Sequence, residues 1–181
     1  MNSIKNIWLQ FQKFIRFDNS LFLKISNDRY ESANALIIVV FSILIIYIPI
    51  IIQSQNLNVS DIVFYGIVDG IFAWLFANLA MWFLLSRAFN TNIEISNLMI
   101  FTGYSHGVLG FFGAIVVVNR FVDLSSNIIQ VLSLVIFVWM YFLISKSMRY
   151  VFTLDKRESS IATVTFLVIL AWFSDPLKLF I

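Results

Sequence analysis

The chain has 181 residues, of which 60% are hydrophobic and 12% charged, against about 25% charged in an ordinary soluble domain. There is no Cys, which removes disulfides, iron–sulfur ligation and a nucleophilic thiol, and a single His (His106) excludes a conventional His/Cys zinc site within the chain. The formal charge of +2 says little by itself; no cofactor and no nucleic-acid partner is expected.

Residues 4–17 come first, with Ile4, Ile7, Trp8, Phe11, Phe14 and Ile15 at 3- and 4-residue spacing. Lys5, Lys13 and Arg16 fall mainly on the other face. An aromatic, apolar stripe beside basic residues describes a helix lying at the membrane surface among anionic headgroups, with Trp8, Phe11, Lys13 and Arg16 as its contacts. A helix packed under the membrane bundle is the alternative. Asp18-Asn19-Ser20 then breaks the pattern and can cap a short apolar segment, Leu21–Ile25. Asp28, with Glu31 three residues on, resembles a capping arrangement ahead of the first long apolar run.

Five runs follow that are long enough to cross a bilayer: roughly 34–53, 62–88, 97–118, 128–147 and 160–180. No apolar core of the length a cleavable signal needs precedes residue 34, so the first run is expected to direct insertion. The basic residues orient the spans. With the N-terminus cytoplasmic, that side collects ten Lys and Arg and the other side two. The expected protein is therefore all-α: a five-span, multi-pass integral membrane protein preceded by an amphipathic interfacial helix, with its C-terminus outside. Residues 1–33 would form the cytoplasmic segment and 34–181 the membrane domain.

Loop 54–61 carries a formal glycosylation acceptor, Asn58-Val59-Ser60, too close to the membrane to be used; Ser60 reads better as a helix cap. All six glycines lie in spans two and three. Gly66, Gly70, Ala73, Ala77 and Ala80 repeat at heptad spacing on span two, and Gly103, Gly107, Gly110 and Ala114 on span three. Small residues let helices approach closely in lipid, so the two spans are expected to form a hairpin packed seam to seam.

Three polar residues fall inside the spans: Asp69, Asn78 and His106. An intramembrane ionisable group suggests function by default, and Asp69 with His106 could form a proton relay. Their depths differ by about 7 Å, however. Structural roles are the alternative, for Asp69 a hydrogen bond to Tyr47 or Tyr104. Asp175 and Lys178, three residues apart at the end of span five, suggest an interfacial ion pair. No phosphate loop, nucleophile elbow, metalloprotease helix or dinucleotide fingerprint is present.

The pattern resembles the Yip-one domain family, five-span proteins with a cytoplasmic N-terminus named for interaction with Ypt/Rab GTPases. Phe17-Asp18-Asn19-Ser20-Leu21-Phe22-Leu23-Lys24-Ile25 looks like the short amphipathic segment before span one in such proteins. Leu98 through Ser105 is similar to the family's Gly-Tyr-Ser element, and Trp139 through Ser159 also reads like the family. His106-Gly107 stands where a proline is expected, and the long N-terminal region of eukaryotic members is missing, as in a short prokaryotic-type member of the cell membrane. The resemblance implies a non-enzymatic protein that organises membrane or partner proteins, its partners being the bilayer and membrane proteins or further copies of itself. An accessory subunit of a larger membrane enzyme and a small transporter or channel using Asp69 and His106 are the competing expectations.

Overall fold

The computed structural model of the chain describes residues 4–28, 30–53, 60 and 62–173. The expectations for Asn58 and Val59, and for Asp175 and Lys178, lie outside the described residues. Those residues form helices, with no strand among them. In order they are α1 (Ile4–Ile15), α2 (Asn19–Ser26), α3 (Glu31–Gln53), a π-helical stretch (Ile62–Val68) running into α4 (Asp69–Ala88), α5 (Ile95–His106), a 3-10 stretch (Gly107–Gly110), α6 (Phe111–Val122), α7 (Ser126–Phe152) and α8 (Lys156–Phe173).

Three helical rods are long and apolar enough to cross a membrane: Gly66–Ala88, Ile95–Val122 and Ser126–Phe152. The number rises to four if α2 and α3, which meet at 115°, count as one broken span. This differs from the five read in the sequence. Helix α8 begins with Lys156, Arg157 and Glu158, which leaves its described length, Lys156–Phe173, short of an apolar span, and the last part of the run read over 160–180 lies outside the described residues.

The rod Ile95–Val122 is the centre of the bundle, with 67% of its apolar window buried against 33% for each of the other two. Helices α3 and α7 both pack along its length, and α4 pairs chiefly with α8. Asp18 caps α2 by accepting from the Ser20 N–H at 3.0 Å and the Ser20 hydroxyl at 2.7 Å, and the hydroxyl bond holds its carboxyl below the usual carboxylate range. Asp28 Oδ1 likewise accepts from the Tyr30 N–H at 3.0 Å ahead of α3.

The glycines of the two seams have α3 and α1, not one another, as their nearest neighbours. A methyl placed on Gly103 would lie 2.7 Å from the Ala35 Cβ, and one on Gly70 would lie 2.7 Å from Ile43. One on Gly66 would lie 2.9 Å from the Tyr47 ring. All three neighbours belong to α3. The short loop between α4 and α5 therefore joins two helical rods whose glycines both meet α3. On α3, Ala35, Ile38, Ser42 and Ile45 meet the central rod, at spacings of three and four that keep them on one face. Ala114 does not continue the seam; it is exposed, and buried Gly113 takes the place against the Ile45 carbonyl. The 3-10 stretch explains this shift. At three residues per turn, positions 107, 110 and 113 stack in line, where an α-helix would have carried the row to 114.

Because every glycine sits inside a rod, the left-handed positions that end helices fall to other residues. Phe17, Asn90, Asp123 and Thr153 all have φ between 50° and 61°. Asn and Asp tolerate this region; Phe17 and β-branched Thr153 are strained there.

Candidate functional site

Helix α1 divides its apolar stripe between two surroundings. Ile7, Phe11 and Phe14 are buried, whereas Ile4, Trp8 and Leu9 are exposed beside exposed Lys5, Lys13 and Arg16. Of the four residues expected at a membrane surface, Trp8, Lys13 and Arg16 are exposed. Phe11 is not, since its ring lies against Gly107 in the middle of the central rod. The Phe14 ring sits 5.2 Å from Phe22 and 5.3 Å from Tyr104. Gln10 meets Glu31 at the start of α3, and Trp8 and Phe11 line a hollow whose other wall includes Ile38 and Ile45 of α3.

A buried polar cluster fastens α1 in this position. The Glu31 carboxylate is 1% exposed and accepts from Gln10 Nε2 at 2.8 Å, the Tyr104 hydroxyl at 2.6 Å and Asn34 Nδ2 at 3.1 Å. Three donors on one carboxylate compensate much of the cost of taking it out of water. The sequence suggested a capping role for Glu31; Asp28 performs its part of that cap, while the Glu31 side chain turns inward to α1 and α5.

A second cluster ties α4 to α5. Asn78 is fully buried; its Oδ1 accepts from the Thr102 hydroxyl at 2.8 Å and its Nδ2 donates to the Trp74 carbonyl at 2.8 Å. The Trp74 indole N–H donates to Thr102 Oγ1 at 3.2 Å. These bonds connect α4 and α5. His106 is buried at the end of α5, and its Nδ1 is bonded to Ser42 Oγ of α3 at 2.7 Å. Asp69 stands half-buried at the first position of α4. The Tyr104 hydroxyl, one of its two expected partners, is bonded to Glu31 and Gln10. Ser105 Oγ is buried without a hydrogen-bond partner among the described residues.

Beside α1 the surface is hollowed. A cavity of about 240 Å³ lies between α1 and α3, and one of about 580 Å³ between α1 and α6; Trp8, Phe11, Ile45 and Gly107 line both. Among the described residues no group of three or more His, Asp or Glu side chains converges as metal ligands would.

No family model, curated protein or solved structure matches the chain.

Gln10, Ser42 and Thr102 carry polar contacts that sequence reasoning did not single out, and Glu31 carries one it read only as a cap. The available signal was weak: each is a polar residue on a helical face whose other members are apolar. Nothing in the spacing says which polar groups on different helices meet.

Proposed function

We propose that the chain is a non-enzymatic multi-pass membrane protein, five-span with a cytoplasmic N-terminus, that organises a bilayer region or membrane-protein partners in the manner its resemblance to the Yip-one domain family implies. The observation that carries this reading is α1. Its inner face is clamped by Gln10, Phe11 and Phe14, while Trp8, Lys13 and Arg16 are exposed. A rigidly held basic and aromatic face suits an anionic membrane surface or an acidic partner better than a mobile tail would, since its ordering cost is met within the fold. The three apolar rods are compatible with a membrane location.

Native mass spectrometry of the full chain, extracted from its own membranes in mild detergent, tests the reading. A monomer or homo-oligomer carrying lipid is the expected species. Reversing charge at Lys13 and Arg16 (Lys13→Glu, Arg16→Glu) is expected to abolish partner or anionic-lipid retention without loss of membrane insertion. A stoichiometric complex with larger membrane subunits would replace this reading with that of an accessory subunit.

A further inference from the structure

We infer that Lys146, near the end of α7, is a positioning residue for α1: it holds the strained turn at Phe17 and so fixes where the exposed Lys13 and Arg16 stand. The inference rests on the reading of the α1 face given above and assigns that face a support from a distant helix.

Helix α1 ends in a complete Schellman arrangement. The Phe17 N–H donates to the Phe14 carbonyl at 2.9 Å, and the Asp18 N–H donates to the Lys13 carbonyl at 3.2 Å. This arrangement needs a left-handed residue, and Phe17 supplies it at φ 61°. Glycine enters that region without steric cost, whereas a side chain there crowds the backbone. Such strain persists only where the surroundings over-determine the conformation.

Lys146 provides that determination. Its ammonium donates to the Phe17 carbonyl at 3.2 Å and lies 5.2 Å from the centre of the Phe17 ring. The two contacts fix the peptide and the ring of one residue together, and a glycine at this position would offer only the first. One turn further along the same face of α7, the Tyr150 ring meets Phe22 of α2 at 6.4 Å. The turn and the helix that follows it therefore rest on one stretch of α7.

The turn shares its backbone with the two cations. The Lys13 carbonyl is one of its acceptors, and Arg16 immediately precedes Phe17. Gln10 ties the middle of α1 to Glu31 of α3, and Phe17 ties its end to α7. Losing the second tie frays the segment that carries Lys13 and Arg16, while the first keeps the rest of α1 in place.

The test reads two properties of the full chain in nanodiscs: amide exchange over Phe14–Leu21, and retention of phosphatidylglycerol against phosphatidylcholine. Lys146→Met should accelerate exchange about fivefold, the size expected from losing an exposed cation–ring contact. Phe17→Leu removes the ring with every charge in place and should accelerate it less. The double variant should exchange more slowly than the product of the two single effects, because both remove one contact. Lys146→Arg, which keeps a donor and a cation, should restore slow exchange. Preference for phosphatidylglycerol should fall in Lys146→Met and in Phe17→Leu and hold in Lys146→Arg. Unchanged exchange in Lys146→Met, or single effects that multiply in full, overturns the inference. So does a preference lost in Lys146→Met but intact in Phe17→Leu, since Lys146 would then act through its own charge. A preference intact in both variants overturns it as well. An unaltered chain without any preference refutes the membrane-surface reading instead, and the exchange data still decide whether Lys146 holds the turn.

Discussion

Asn78 has no exposed surface, and what makes it tolerable inside the bundle is its pair of bonds to Thr102 and Trp74. Thr102→Val keeps the shape and removes the hydroxyl that serves both Asn78 and Trp74. It should destabilise the protein by about 1 kcal/mol, within the range measured for hydrogen bonds between membrane helices. Asn78→Leu combined with Thr102→Val should cost less than the sum of the two single changes, as read by denaturation in mixed micelles. The glycines allow a sharper contrast. A methyl on Gly110 would lie 3.7 Å from Ile45 and Ser42, in ordinary contact, so Gly110→Ala should be neutral or stabilising by up to about 1 kcal/mol. A methyl on Gly113 would run into the Ile45 carbonyl, which is backbone and cannot rotate aside. Gly113→Ala should therefore cost about 1–3 kcal/mol in the same assay. The sequence placed Gly110 on the seam and gave Gly113 no part in it; the line of the 3-10 turn sets Gly113 against Ile45.

At the scale of the element, α1 is held by side-chain contacts from three helices. Glu31→Ala would leave the Gln10 amide, the Asn34 amide and the Tyr104 hydroxyl without their shared acceptor. Amide hydrogen exchange over Ile7–Ile15 should then accelerate at least about tenfold while exchange in α5 holds. Tyr104→Phe removes one donor and should give a smaller acceleration. Unchanged exchange in α1 after Glu31→Ala would show that Phe11 and Phe14 alone hold the helix. The amphipathic character of this element was legible from residue spacing. The division of its stripe was not, because Ile7 and Ile4 are the same residue type one turn apart, and only the neighbouring surface decides which of them is covered.

For the whole molecule, the absence of Cys makes topology directly measurable, since any introduced thiol is unique. Asp123→Cys lies between the second and third apolar rods, and Asn90→Cys between the first and second. A membrane-impermeant maleimide applied outside intact cells should label the former at once and the latter only after permeabilisation. The reverse pattern would invert the proposed orientation. The helical class, the apolar rods and the amphipathic N-terminal helix were all legible from one-dimensional properties: run length, spacing and the placing of Lys and Arg. Helix pairing was not. In lipid, a helix face turned to the tails and one turned to a neighbour can carry the same apolar residues, so hydropathy does not distinguish them. The choice of α3 as the common partner of both glycine seams depends on where Ala35, Ile43 and Tyr47 meet them in space. The joining of Gln10, Glu31 and Tyr104, which are 21 and 73 residues apart in the chain, depends likewise on packing. Run length and charge are additive along a sequence, whereas shape complementarity between distant helices exists only once they are side by side.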